Sequence, residues 1–389
     1  MFYNRFTSIT SFNSFVDRPK QMLKYSGIKL DKEEISFYKM YTFLVIITIM
    51  FAIISQLWYV ASCDASDPHR VIVVVYSAYF MVDLGKMVNI LYRQSSLIEC
   101  LAELQDICPD KDIERKYKLQ HYLKSYKRVE NFFYYMVIFL VITFSLDAIA
   151  RSLLQLYLKG SYGYLMTVVM RPAIPYEDSL LIYISYFVLS TASGTWVAIN
   201  IIAIDLCLLG CVLQLCLHFE LLSKQLMELD PSKLTELEAI KKLNSIAKHH
   251  NELIGLSRKI NRTFSGSMIC NLMAASFVLC FLCYQMLGDV QFLDIVKTIL
   301  LLLNESKQVL LICYCGDRLS DSSQLFNDSL YMHNWVDGSV RYQHHLLFMI
   351  LYAHKPVMLN LLGLIDITLI TLKEVYGAAY RFFTVLKTT

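Results

Sequence analysis

Four features of this chain have the residue types for chemistry. They are the histidine pairs His249-His250 and His344-His345, a Cys-x-x-Cys at Cys280 and Cys283, and the closing stretch Met358–Thr389. Neither histidine pair has a third ligand at helical spacing, so neither makes a zinc site; both are read as solvated or interface faces of inner helices. The Cys-x-x-Cys has no second pair and no polar shell. Cys207, Cys211, Cys216, Cys270, Cys280, Cys283 and Cys313 all lie inside apolar blocks and are read as core packing. No Ser-His-Asp order, paired carboxylates or Gly-rich phosphate loop is present, so no enzyme and no cofactor are expected. The closing stretch remains. It is apolar enough to cross a membrane, yet it carries Asp366, Lys373, Glu374, Gly377 and Arg381. Small and polar residues along a span face water or another helix. The expectation is that this span lines an ion pathway; the plainer alternative is that its polar groups face only their own bundle.

The elements that must position it are set by composition. The chain has 389 residues, 56% of them hydrophobic and 18% charged, with mean hydropathy +0.45. A soluble domain is about 45–50% apolar and about 25% charged. The excess falls in blocks of about 20 residues, the length that crosses a hydrocarbon core. The net charge of +3 and the lack of basic runs with interleaved aromatics exclude a nucleic-acid partner. The fold class is therefore an all-α membrane protein in a lipid bilayer, one unit with seven transmembrane helices and long helical extensions.

In order, 1–37 is polar and mixed-charge, with aromatics at Phe2, Phe6, Phe12 and Phe15 that suggest a short interfacial helix. No cleaved leader is expected, because the first apolar block is too long for one. Residues 38–218 hold spans 1–4: roughly 38–60, 71–92, 131–156, and a fourth from Leu180 that stays apolar to about Leu217, too long for one crossing. Loop 157–179 contains Arg-Pro-Ala-Ile-Pro, whose prolines break any helix. Residues 219–267 have leucine and isoleucine at spacings of three and four, an amphipathic helical pattern. Asp230-Pro231-Ser232 marks a helix boundary within it. Spans 5 and 6 occupy 268–313. Residues 314–357 are again amphipathic, and Pro356 ends their second helical run. Span 7 is 358–389.

Charge sets the orientation. Segments 1–37, 93–130, 219–267 and 314–357 hold 25 of the 36 Lys and Arg residues, and the alternating segments 61–70, 157–179, 289–293 and 381–389 hold 5. Positive charge stays in the cytoplasm. The amino terminus is thus expected inside and the carboxyl terminus outside, the reverse of a G-protein-coupled receptor. The sequons at Asn261, Asn304 and Asn327 fall on cytoplasmic or membrane segments and are not expected to carry glycan. The apolar stripes of 219–264 and 320–355 lack membrane length and must be buried somewhere. They are expected to form a cytoplasmic anchor between subunits.

Seven spans of this orientation, with long inner helices, resemble the insect odorant receptors. The local likeness lies in the ending VYGAAYRFFTVLKTT, in CYCGDRLSDSSQLFNDSLYMHNWVD at 313–337, and in CLHFELLSKQLMEL at 216–229. The resemblance implies an odorant-gated, non-selective cation channel subunit in a sensory-neuron plasma membrane. It implies a heterotetramer with the olfactory co-receptor, a small volatile organic ligand and permeant cations. Because 219–267 lacks the long insertion of the co-receptor, this chain looks like a tuning subunit. Gustatory receptors share the architecture, so a homotetrameric gustatory-type channel is the alternative. A seven-span transporter or metabotropic receptor stands further off, since inverted repeats are not evident.

The same resemblance puts odorant between the outer halves of spans 2, 3, 4 and 6. Those halves supply Tyr76, Tyr79, Phe80 and Asp83; Ser145, Ile149 and Ser152; Tyr183, Tyr186 and Phe187; and Thr298 and Leu301. Aromatic walls with a few hydroxyls suit a mostly apolar molecule with one or two hydrogen-bonding atoms. Asp83 and Arg151 are intramembrane charges expected to pair with each other, or else to meet a polar ligand group. At the end of the chain, alignment with the family's last helix puts Val385 at a hydrophobic gate that closes by dewetting, with Leu386 beside it and Thr388 at the outer mouth. Arg381, Val385 and Thr388 share one helical face. The cations Arg381 and Lys387 depart from the co-receptor pattern, so either they point away from the pore or this subunit contributes less to conduction.

Overall fold

A computed structural model describes residues 5–30, 36–64, 69–159, 180–287 and 292–388. Eleven α-helices carry almost all of that chain: α1 (Arg5–Tyr25), α2 (Ser36–Ser62), α3 (Arg70–Tyr92), α4 (Gln94–Asp106), α5 (Lys111–Lys116), α6 (Gln120–Lys159), α7 (Leu180–Met227), α8 (Glu236–Gln285), α9 (Phe292–Met332), α10 (Val340–Ala353) and α11 (Leu369–Thr388). Loop 160–179 and its two prolines lie outside the described residues.

Among the described residues, α2, α3, α6, α7 and α8 are long and apolar enough to cross a membrane. The other two expected spans, α9 and α11, are not among these five; α9 carries Asp294, Lys297, Glu305 and Lys307, and α11 carries Lys373, Glu374, Arg381 and Lys387.

Four helices run far past membrane thickness. With a rise of about 1.5 Å per residue, the 40 residues of α6, the 48 of α7, the 50 of α8 and the 41 of α9 are each at least about twice the length that crosses a hydrocarbon core. The boundary expected at Asp230-Pro231-Ser232 is a short 3-10 turn at Pro231–Lys233, where the Asp230 side chain accepts from the Ser232 amide. Directly after it, Thr235 and Glu238 form a reciprocal capping box that starts α8, satisfying two of the amide donors a helix start leaves unpaired.

The core runs along α7, which is buried on all sides between Asn200 and His218. It packs against α9 most extensively, and α3, α8, α1 and α6 surround the pair. The amino-terminal segment departs from the interfacial expectation. α1 spans 21 residues and lies along α7, with Phe15, Val16 and Leu23 buried. Gly210 lets it approach: a Cβ there would stand 2.9 Å from the Phe15 carbonyl oxygen. His250, expected on a solvated or interface face, is buried where α8 meets α9, stacked on Phe326 with ring centroids 4.5 Å apart.

The closing segment is also different from one continuous span beginning at Met358. Its first part is a two-stranded antiparallel hairpin in which Asn360 pairs with Asp366 and Leu361 with Ile365. Leu362 and Gly363 turn it with positive φ. Pro356 and the exposed polar groups at this end stop the helical run, and α11 starts only at Leu369.

The candidate ligand cavity and the closing helix

An apolar cavity opens between α3, α6, α7 and α9. Its walls are Tyr76, Tyr79 and Phe80; Val137, Leu140, Val141, Phe144 and Ser145; Thr191, Gly194, Thr195, Val197, Ala198, Ile201 and Ile202; and Leu301 and Asn304, around roughly 760 Å³ of atom-free space. Tyr76 meets Phe144 edge to face at 5.9 Å, closing one wall. The Tyr79 hydroxyl donates to the Leu301 carbonyl at 3.2 Å, which ties α3 to α9 at the cavity. Thr195 is turned onto its own helix, its hydroxyl donating to the Thr191 carbonyl at 2.7 Å. Ser145 and Asn304 add a hydroxyl and an amide to the otherwise apolar lining.

The four helices are those that the resemblance implies. Of the residues expected on them, Tyr76, Tyr79, Phe80, Ser145 and Leu301 come together here. The others do not. Asp83 is buried below the cavity, where it accepts from Asn200 Nδ2 at 2.7 Å. Ile149 faces outward. Ser152 and Thr298 turn their hydroxyls onto the carbonyls of Ala148 and Asp294, at 2.9 Å and 2.8 Å. Tyr183 packs against Phe187 at 5.9 Å, and Tyr186 stacks on Phe51 at 6.1 Å. For all of these but Asp83, which lies on the deeper side, the displacement has one cause. The cavity begins about 11 residues into α7, roughly 17 Å below its first turn at 1.5 Å per residue, deeper than the outer end of that span. Gly194 and Ala198, a small-x-x-x-small pair, are the sequence signal that marks this depth.

The intramembrane charges pair differently from expectation. Arg151 donates to Asp147 Oδ1 at 2.9 Å and to Asp294 Oδ1 at 2.6 Å, and Lys297 also contacts Asp147. Asp83 lies 13 residues into α3, whereas Arg151 stands eight residues from the end of α6, so their depths do not match. Below the cavity Ser26 donates to Asn200 Oδ1 at 3.2 Å, which links the end of α1 to α7 and, through Asp83, to α3. One turn further along α3, Lys86 forms a buried ion pair with Asp205 on α7.

α11 packs along α8 and α9 through Thr371, Val375 and Ala379, and the Ser276 hydroxyl donates to the Val375 carbonyl at 3.3 Å. Its opposite face is uncovered. Tyr380 and Val385 are exposed, as is Arg381, whose Nε donates back to the Gly377 carbonyl at 3.3 Å. Leu386 is half-buried. Thr388 ends the helix, and its side chain lies outside the described residues.

The extensions of α7, α8 and α9, with α10, continue the same hydrophobic core, which reaches Leu253, Phe326 and Leu346. His249 Nε2 and His218 Nδ1 are 3.3 Å apart across α8 and α7. Burial pushes the His250 imidazole down to about 4, with His249 beside it a second cause.

Long apolar helices sheathing a buried ion-paired core, a cavity among four of them and an amphipathic last helix define a polytopic helical membrane protein. A family model described as 7tm Odorant receptor matches residues 69–380. The chain belongs to this insect seven-transmembrane odorant receptor family. It is similar to putative odorant receptor 92a of Drosophila melanogaster, 29% identical over 80% of this chain and 76% of the relative. It is also similar to odorant receptor 85c of the same species, 27% identical over 85% of each. The fold is that of the insect olfactory receptor OR5 from Machilis hrabei in complex with eugenol. The two superpose with a TM-score of 0.78 at 14% identity, over 98% of this chain and 99% of that one.

Proposed function

We propose that this chain is a tuning subunit of an odorant-gated, non-selective cation channel that assembles with the olfactory co-receptor into a heterotetramer. Its place is the plasma membrane of a sensory-neuron cilium or dendrite, with the amino terminus inside and the carboxyl terminus outside. The observation that carries the reading is the cavity among α3, α6, α7 and α9, together with the amphipathic α11 packed on α9. A small, mostly apolar volatile fits such walls, with Tyr79, Ser145 and Asn304 as polar anchors. Eugenol, the molecule bound in the Machilis hrabei receptor, belongs to that chemical class. The uncovered face of α11, with Arg381, Val385 and Leu386, lines the pore, and Val385 is its gate. Residues 219–267 and 314–357 form the cytoplasmic anchor between subunits.

The test is whole-cell current in heterologous cells expressing this chain alone or with an insect olfactory co-receptor, under a volatile panel that includes eugenol and with G-protein signalling blocked. A fast cation current that requires both chains is the expected result. Current from this chain alone overturns the heteromeric reading. No current despite surface protein overturns the channel reading.

A further inference from the structure

The hairpin and the first turn of α11 are fastened to α9 at two adjacent residues. A Cβ on Gly316 would overlap the Ile367 carbonyl oxygen and stand 2.9 Å from its carbon, so only glycine fits there. Next to it, Asp317 Oδ2 accepts the Leu369 amide at 3.0 Å. That amide belongs to the first residue of α11 and is one of the four donors a helix start leaves unpaired. A carboxylate there also complements the helix dipole. Ile367 is itself buried, its amide donating to the Leu359 carbonyl at 2.8 Å. Further along α9, the Ser323 hydroxyl accepts the Val357 amide at 2.8 Å.

α9 also carries the cavity wall, Leu301 and Asn304. Of the four helices around the cavity, it is the one that packs substantially along α11. The cavity wall and the clamp stand 12 residues apart on one unbroken helix, from Asn304 to Gly316, roughly 18 Å at 1.5 Å per residue. A displacement of α9 at the cavity therefore reaches the base of α11 through a rigid rod.

We propose that Gly316 and Asp317 are positioning residues that hold the start of α11 against α9, so that the state of the cavity sets the position of the last helix. This rests on the reading of α11 as the pore helix. Neither residue touches ligand or pore.

The experiment uses the full chain with the co-receptor and a Val385→Cys reporter, probed with a membrane-impermeant, positively charged methanethiosulfonate applied outside. Surface density is measured in parallel, and currents are taken for the panel odorant with the largest wild-type response. Asp317→Ala should change the modification rate of the reporter thiol in the absence of odorant at least threefold and lower the maximal odorant current, with the half-maximal concentration within twofold. Asp317→Asn keeps an oxygen acceptor for Leu369 and should restore both values. Gly316→Ala should act like Asp317→Ala. If it fails to reach the surface, the two Asp317 variants decide the matter alone. Asp106→Ala, exposed at the end of α4, is the control and should change nothing. Equal modification rates in all Asp317 variants, with wild-type odorant current intact, overturn the clamp while leaving the channel reading standing. Absence of any odorant current in the parent overturns both.

Discussion

Lys86 on α3 sets its ammonium 2.9 Å and 3.1 Å from the two carboxylate oxygens of Asp205 on α7, and both side chains are buried. A pair this deep is costly to desolvate and costly to break. Removing one partner strands an uncompensated charge, worth about 3–5 kcal/mol, whereas replacing both by apolar residues is often neutral. Lys86→Ala or Asp205→Ala alone should abolish the monodisperse peak in detergent size-exclusion and surface delivery. The double Lys86→Met, Asp205→Leu variant should recover much of both. A double variant as damaged as the singles would mean the pair carries more than its own charge balance.

The cavity makes a prediction about depth. Ala198 lies on its wall, while Tyr183 lies about four helical turns nearer the start of α7 and packs on Phe187. Ala198→Phe should fill the space and raise the half-maximal odorant concentration at least tenfold at unchanged surface density. Tyr183→Ala should lower expression without altering which panel members act. The reverse pattern would move the ligand site to the outer end.

How much of this is legible in the sequence follows from what each feature depends on. Helix identity is local, so the long rods and the break at Asp230-Pro231 can be read from periodicity and capping chemistry. Depth is not local. From Leu180 to Leu217 the hydropathy of α7 reads as one long block in which the small residues around Gly194 and Ala198 are the single local mark, and packing against α3, α6 and α9 is what shows that the void starts near Thr191. Charge pairing fails for the same reason: Asp83, Lys86, Asn200 and Asp205 find partners by matching depths on different helices. The hairpin at 360–366 is hidden because its Leu and Ile residues extend the hydropathy of α11. The amphipathic α1 looks interfacial because its apolar face covers α7, and hydropathy does not distinguish a protein surface from a lipid one.

Gly210 predicts a helix–helix distance. Any side chain there meets the Phe15 backbone at 2.9 Å, and a backbone atom has no rotamer by which to retreat. Gly210→Ala should destabilise by about 1–3 kcal/mol, the usual range for overpacking, seen as a lower detergent-phase melting temperature. Deleting 1–25, which removes α1 with its Phe15 carbonyl, should destroy the fold through loss of the α7 cover and not mimic the glycine variant. A glycine variant as stable as wild type would show that α1 is loosely held.

His250 predicts an acid limit. Its imidazole is held down to about 4 by burial first and by neighbouring His249 second, while Glu252 acts on His249 itself. In the unfolded chain it titrates near the ordinary 6.5. The unfolded state therefore takes up the proton first, and stability falls as pH drops from about 6.5 to about 4 and levels off below. The loss is about 1–3 kcal/mol. Melting temperatures of purified protein at about pH 7.5 and about pH 5, on either side of the unfolded titration, should differ. His250→Phe, which keeps the stack on Phe326, should shrink that dependence, leaving the share of His249 and His333, whose imidazoles burial also lowers. An unchanged slope would place the acid sensitivity elsewhere.

The exposed face of α11 leads to the last prediction. Val385 and Arg381 are one helical turn apart on the side turned away from α8 and α9, and Val375 and Ala379 anchor the opposite side. If that face lines the pore, an apolar ring at Val385 closes it by excluding water, and a hydroxyl there should hold water. Val385→Ser is expected to raise current without odorant and alter the permeability ratio of Na⁺ to larger cations, with the half-maximal odorant concentration little changed. Arg381 should act oppositely to a gate, because a fixed cation repels permeant cations within about a Debye length, roughly 8 Å at physiological salt. Arg381→Gln should raise single-channel conductance, and more so at low ionic strength, where screening is weaker. Lipid or a partner helix against this face would give another pattern, in which both substitutions lower surface density and leave conductance and selectivity untouched. The two results separate cleanly because conductance is measured per open channel and does not depend on how many reach the surface.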